Sequence, residues 1–86
     1  MDQVWIDVRM WTALQGNFHP FLDVACEAPD PLPSPDGWPL WAVDHLGAVA
    51  EAESWQPGRY AWSAEQRDDG GHTLAVFASG TWDWGP

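Results

Sequence analysis

The chain has 86 residues and a mass of 9.6 kDa, which predicts one compact domain over residues 1–86, because chains usually divide into domains only well above this size. Hydrophobic residues make up 45% of it, as in ordinary globular proteins, which argues against a disordered or fibrous chain. Three arginines and no lysine stand against thirteen Asp and Glu residues, for a net charge of −10. This charge argues against direct binding to DNA or RNA, since phosphates repel an acidic surface.

Neither a secretory leader nor a membrane span is recognisable in the sequence. No basic segment followed by an apolar stretch opens the chain, and no apolar run approaches the roughly 18 residues that cross a bilayer. We therefore expect a cytoplasmic protein without a membrane partner. Cys26 is the only cysteine, which excludes an internal disulfide and favours a small buried residue over a nucleophile.

The N-terminal part of the chain predicts two paired strands. Residues 4–11 alternate in the period-two pattern of a half-buried strand. A glycine, an asparagine and a proline within residues 12–20 predict a turn. The short apolar segment 21–26 suits a second strand that pairs with the first and directs Asp23 towards water.

The middle of the chain predicts a loop followed by the only plausible helix. Residues 27–39 include five prolines, whose fixed φ and missing N–H predict a Pro-rich surface loop. Residues 40–54 favour a helix with Asp44 as its N-cap, although Gly47 weakens it. An alternative interpretation makes residues 48–54 a strand, because valine and two glutamates alternate there with alanines.

The C-terminal part predicts a β-hairpin. Residues 59–65 alternate again, residues 67–71 form a tip that tolerates positive φ, and residues 72–79 return as a strand covered on both faces. Gly80 interrupts this strand, and residues 81–84 either continue the sheet edge or fold back as an aromatic tail. The predicted fold class is α+β: a mainly antiparallel four-stranded sheet with one short helix.

No motif supports catalysis, a metal ion or a cofactor. His19, His45 and His72 lack the spacing of metal ligands, and no glycine-rich nucleotide-binding or nucleophile motif is present. Neighbouring carboxylates are not spaced to hold two acids across a cleft at the distance that glycosidases use. The sequence therefore predicts a protein that is not an enzyme and that binds no metal and no cofactor.

The eight tryptophans exceed what so small a core holds, so some of them should reach the surface. We expect Trp5, Trp41 and Trp62 to build the core. Tryptophans near turns or the chain end are candidate binding anchors, because an exposed indole buries much area at small entropic cost.

The excess of negative charge predicts an interaction protein. Carboxylates ordered on a rigid surface imitate nucleic-acid phosphates, and they steer the chain onto a basic protein surface such as that of a CRISPR effector or nuclease. In size and acidity the chain resembles the small inhibitors, anti-CRISPR and anti-restriction proteins, that bacteriophages and mobile elements make against host defence; this likeness of composition transfers no functional residue. The hypothesis selects as partner-binding residues Asp68, Asp69, Glu51, Glu53, Glu65, Trp82 and Trp84.

Two alternative functions remain open from the sequence. Aromatic stacking would suit a module that binds carbohydrate or another small ligand, provided that the rings form a flat row beside polar groups. A structural or assembly protein of a phage particle would instead self-associate. Generic acidity that only keeps the chain soluble explains the charge without any partner.

Overall fold

The architecture is a four-stranded antiparallel sheet with one helix packed on one face. The computed structural model describes residues 2–85. Its elements follow the chain as β1 (Gln3–Thr12), β2 (Asn17–Glu27), α1 (Trp38–Ala52), β3 (Gly58–Arg67) and β4 (Thr73–Trp84). The strands lie in the order β2-β1-β3-β4, and each neighbouring pair is antiparallel. The predicted α+β class and four-stranded antiparallel sheet are confirmed.

The core lies between α1 and one face of the sheet. Alternate residues of the two central strands point into it, namely Val4, Ile6, Val8, Tyr60, Trp62 and Ala64. Residues at four-residue spacing cover them from the helix, namely Trp38, Ala42, Leu46 and Ala50. The opposite side, which we call the open face, carries Trp5, Asp7 and Arg9 of β1 and the residues paired beside them. Strand alternation separates the two faces.

Trp5 therefore lies outside the core, although the sequence predicted it to be a core residue. It points to the open face because its neighbours Val4 and Ile6 point to the core, and it is half-buried there. Trp62 is buried as expected, whereas Trp41 packs against the core and stays half-buried.

The helix begins earlier than the sequence predicts. Gly37 is its N-cap, and Pro39 stands in the first turn, where the fixed φ of proline fits the helix. The missing N–H of proline costs nothing there, because N–H groups of the first turn have no acceptor within the helix. Asp44 consequently lies in the helix interior, so its predicted role as N-cap is wrong. The alternative strand over residues 48–54 is also wrong, because Ala50 continues the buried face of the helix. No helix in the described part of the chain is long and apolar enough to cross a membrane.

The second strand is longer than the predicted segment 21–26. It begins at Asn17 and contains Pro20, which an edge strand tolerates because its outward N–H groups have no partner in the sheet. Residues 28–37 form no helix or strand, as expected for the Pro-rich segment, but the helix already starts at Trp38.

The fourth strand runs without interruption through Gly80, so the predicted break there is wrong. Of the two alternatives for residues 81–84, the structure shows continuation of the sheet edge. The expectation that both faces of this strand are covered is wrong as well: the side chains of Leu74 and Val76 are 60% and 57% exposed. Both belong to the half of β4 nearest its hairpin with β3.

Candidate functional site

The residues selected from the sequence divide between two ends of the sheet. Asp68 and Asp69 occupy the hairpin tip between β3 and β4, beside the start of β1. Glu51 closes the last turn of α1, and Glu53 follows it next to Met10 near the far end of β1. Seven residue steps of β1 lie between Gln3 and Met10, so roughly 23 Å of strand separates the two regions. The two acidic pairs therefore do not form one surface.

A concentration of carboxylates without an arginine partner lies at the first of these ends. Asp2 precedes β1, Glu27 ends β2 opposite Gln3, and Asp68 and Asp69 follow β3. These four exposed residues, which we call the acidic end, come from three adjacent strands, and neighbouring strands lie about 5 Å apart. An open cavity of about 590 Å³ brings three of these carboxylates together with Trp5.

The one arginine beside the acidic end is already engaged in hydrogen bonds. Arg67 donates from Nε to Glu65 Oε1 at 2.7 Å and from a terminal nitrogen to Asp23 Oδ1 at 3.1 Å. Its guanidinium also lies 5.1 Å from the centre of the Trp5 ring, a cation–π contact. The hydrogen bonds to Asp23 and Glu65 raise the pKa of Arg67 above its usual value, so the group stays charged. The positive charge of Arg67 is thus paired with Asp23 and Glu65 and does not neutralise the carboxylates of the acidic end.

The other two arginines are paired on the open face as well. Arg9 lies 3.6 Å from Asp7, and Arg59 donates to Asp83 at 3.0 Å. Within residues 2–85 every arginine therefore has a carboxylate partner, and nine of the thirteen acids have no arginine partner. Exposed pairs of this kind contribute little to stability, but they leave the remaining surface without a free cation among the described residues.

Glu65 differs from the other selected acids because it is buried, with only 5% of its surface exposed. Its carboxylate accepts hydrogen bonds from Arg67, from the Thr73 hydroxyl at 2.9 Å and from the Ser63 hydroxyl at 3.4 Å. A buried charge needs such partners, and here three donors stabilise it. This arrangement gives Glu65 a structural role in holding β3 to β4.

Trp82 and Trp84 are half-buried members of an aromatic cluster at the end of the sheet remote from the acidic end. The Trp82 ring lies 5.9 Å from Tyr60 and 5.5 Å from Trp84, and the Trp84 indole N–H donates to the Trp55 carbonyl at 3.2 Å. These contacts use most of both rings for packing. The aromatic ring that accompanies the acidic end is instead Trp5.

The prediction from sequence missed three residues at or beside the acidic end: Asp2, Glu27 and Trp5. Their neighbourhood depends on the register of β1 against β2, in which Gln3 faces Glu27. The four-residue connection Ala13–Gly16 pairs Thr12 with Asn17, and a register shift between Val8 and Arg9 then moves the pairing by one residue. A hairpin placed on this turn alone would set Cys26 opposite Gln3, so the sequence did not reveal the position of Glu27.

Two aromatic rings at the opposite end, the exposed Trp11 and the half-buried Phe18, do not form a flat platform. They meet edge to face, with their ring planes inclined by 67°. Stacking on a sugar ring requires coplanar faces, so this pair gives no support to carbohydrate binding. Among residues 2–85, no three His, Cys, Asp or Glu side chains are grouped so that they could hold a metal ion.

Comparison with known proteins does not assign the chain to a family: no protein-family model, no curated protein and no solved structure matches it.

Proposed function

We propose that the chain is a small acidic inhibitor that binds a basic groove of a nucleic-acid-binding protein, such as a CRISPR effector or nuclease, through the acidic end of its sheet. The observation that supports this most directly is the group of four exposed carboxylates, Asp2, Glu27, Asp68 and Asp69, beside a single arginine that is committed to Asp23 and Glu65.

The geometry suits a phosphate mimic because the carboxylates stand on strand ends rather than on a long loop. Hydrogen-bonded strands hold them near one another before binding, so little conformational entropy is lost on association. The −10 charge of the whole chain steers it towards a cationic surface and raises the association rate. Trp5, half-buried beside the same end, offers an apolar surface that slows dissociation.

The direct test is inhibition of DNA cleavage by a panel of purified CRISPR effectors and restriction nucleases. The variant Asp2→Asn/Asp69→Asn removes two charges from the acidic end, and the matched control Glu51→Gln/Glu53→Gln removes two from the opposite region. Both variants carry the same net charge, so only the position of the lost charge differs. We expect the first variant to weaken inhibition by about tenfold or more and the control by less than about threefold.

Salt dependence and competition complete this test. Exposed charge pairs are screened over about 8–10 Å at physiological ionic strength, so inhibition should weaken steadily with added NaCl. Excess duplex DNA should displace the chain from its partner. Equal losses in the two variants, or inhibition that is indifferent to salt, would contradict a phosphate mimic centred on the acidic end. No inhibition of any nuclease in the panel would contradict this class of partner.

A further inference from the structure

The two edges of the sheet are built differently. The outer strand β2 contains Pro20, Asp23 and Glu27 and has an irregular register opposite Val8 and Arg9. Proline, charge and bulges are the devices by which natural edge strands prevent pairing with another chain. This edge is therefore protected.

The opposite edge strand, β4, lacks most of this protection. It is twelve residues long, contains no proline, and from Thr73 to Trp82 carries no Asp, Glu, Lys or Arg. Two register shifts against β3 disturb its first half, up to Ala78, whereas residues 78–84 pair regularly. A regular uncharged segment thus remains at residues 78–82.

The outward backbone groups of this segment have no partner within the described residues. β4 is hydrogen-bonded to β3 on one side only, and the backbone hydrogen bonds outside the helix and sheet include none from residues 73–84. Ser79 and Thr81 are exposed on the open face, so side chains do not cover the edge there. An unpaired row of N–H and C=O groups is a template for a further strand.

We propose that β4 pairs with β4 of a second copy of this chain, antiparallel across a two-fold axis near Gly80. The difference between the two edges indicates that the strand that pairs with β4 belongs to a second copy of this chain. A monomer needs protection at both edges, whereas this dimer forms one eight-stranded sheet whose two outer strands are both the protected β2. The interface is isologous and closed, so pairing stops at two chains.

Charge distribution is consistent with the same occupant. Two chains of net charge −10 repel one another wherever their acids meet. In an antiparallel pairing centred on Gly80, Ser79 lies opposite Thr81 and Ala78 opposite Trp82, so no like charges face each other across the paired segment. The nearest acid, Asp83, is already paired with Arg59 of its own chain.

The experiment measures the mass of the full chain by sedimentation equilibrium from about 1 μM to about 1 mM, a range that covers weak dimers. Thr81→Lys places a lysine on the pairing edge, and Ala25→Lys places one on the exposed face of β2 as a matched control. Each adds one positive charge at an exposed strand position. We expect the wild type to dimerise, Thr81→Lys to raise the dimer dissociation constant at least about tenfold, and Ala25→Lys to change it less than about threefold.

Hydrogen exchange of the wild-type chain gives a second readout that needs no substitution. Amides of residues 78–82 should gain protection as the concentration rises, while those of β2 should not. A chain that is monomeric over the whole range would overturn the proposal, even if a foreign strand were found on β4. A dimer that Thr81→Lys leaves intact, or that Ala25→Lys disrupts equally, would overturn it by placing the interface elsewhere.

Discussion

The indole of Trp62 lies against Gly80, its partner across β3 and β4, and a Cβ added to this glycine would stand 3.2 Å from ring atom Cζ2. This close approach lets a large side chain on a central strand become 97% buried, since only 3% of Trp62 is exposed. The glycine therefore serves packing, and β4 passes through it without a break.

Gly80→Ala is expected to destabilise the fold. The added methyl group would press on the buried Trp62 ring at 3.2–3.3 Å, and overpacking of this kind costs about 1–3 kcal/mol. The usual gain from replacing glycine in a strand, about 0.5–1 kcal/mol, is smaller. Urea unfolding followed by circular dichroism should show a lower midpoint with an unchanged slope.

The same substitution at Gly47 provides the control. This glycine lies inside α1, and an added Cβ would meet nothing within 4 Å. Gly47→Ala should stabilise the chain by about 1 kcal/mol, because alanine is the better helix former. Opposite signs for the two substitutions support the packing role of Gly80, whereas a gain in both would contradict it.

Gly80 also illustrates how far the sequence determined the fold. The alternation in β1 and β3 and the glycine-rich tip predicted the correct strands, because these signals are local. The role of Gly80 depends on which residue of β3 stands opposite, and the acidic end depends on the register of β1 with β2 and β3. Register is a tertiary property, so neither feature could be read from composition or spacing alone.

The pair between Arg67 and Glu65 is expected to be essential to the hairpin of β3 and β4. Arg67→Met keeps the aliphatic volume but leaves the buried Glu65 carboxylate without its cation, which should cost about 3 kcal/mol. Urea unfolding measures this loss. The double variant Glu65→Gln/Arg67→Met should recover part of it, because no buried unpaired charge remains; Asp23 also loses Arg67, but its side chain is about half exposed to water.

Arg59→Met is the matched control for this experiment, because it breaks an ion pair whose two side chains are mostly exposed. It should leave the unfolding midpoint unchanged within error. Equal effects of Arg67→Met and Arg59→Met would show that burial of the Arg67 pair is unimportant.

The burial of Tyr60 predicts a loss of stability at alkaline pH. Burial raises the pKa of Tyr60 above its usual value of 10, because the fold disfavours the phenolate. The resulting stabilisation is complete below pH 10 and is lost as the pH rises from there through the higher folded pKa. Since the chain has one tyrosine, phenolate absorbance follows this residue alone.

Tyr60→Phe tests that interpretation. The hydroxyl donates to the Gln56 carbonyl at 2.6 Å, so its removal should cost about 1 kcal/mol at neutral pH and flatten the alkaline loss. Burial also raises the pKa of the Cys26 thiol, so both proteins should carry Cys26→Ala. An unchanged alkaline slope in Tyr60→Phe would assign the loss to other groups.

Two adjacent acids at the hairpin tip are expected to behave differently. Asp68 Oδ1 accepts hydrogen bonds from the backbone N–H of Gly70 and of His72, each at 2.9 Å, and so organises the turn. Asp69 is exposed and makes none of these bonds. Asp68→Ala should therefore destabilise the chain by about 1 kcal/mol, whereas Asp69→Ala should stay within about 0.5 kcal/mol of the wild type.

Unfolding midpoints and hydrogen exchange at Gly70 and His72 measure the difference between Asp68→Ala and Asp69→Ala. Equal effects would show that the turn does not depend on the Asp68 carboxylate. Because only Asp69 is free of a structural role, its substitution reports on the charge of the acidic end without disturbing the fold.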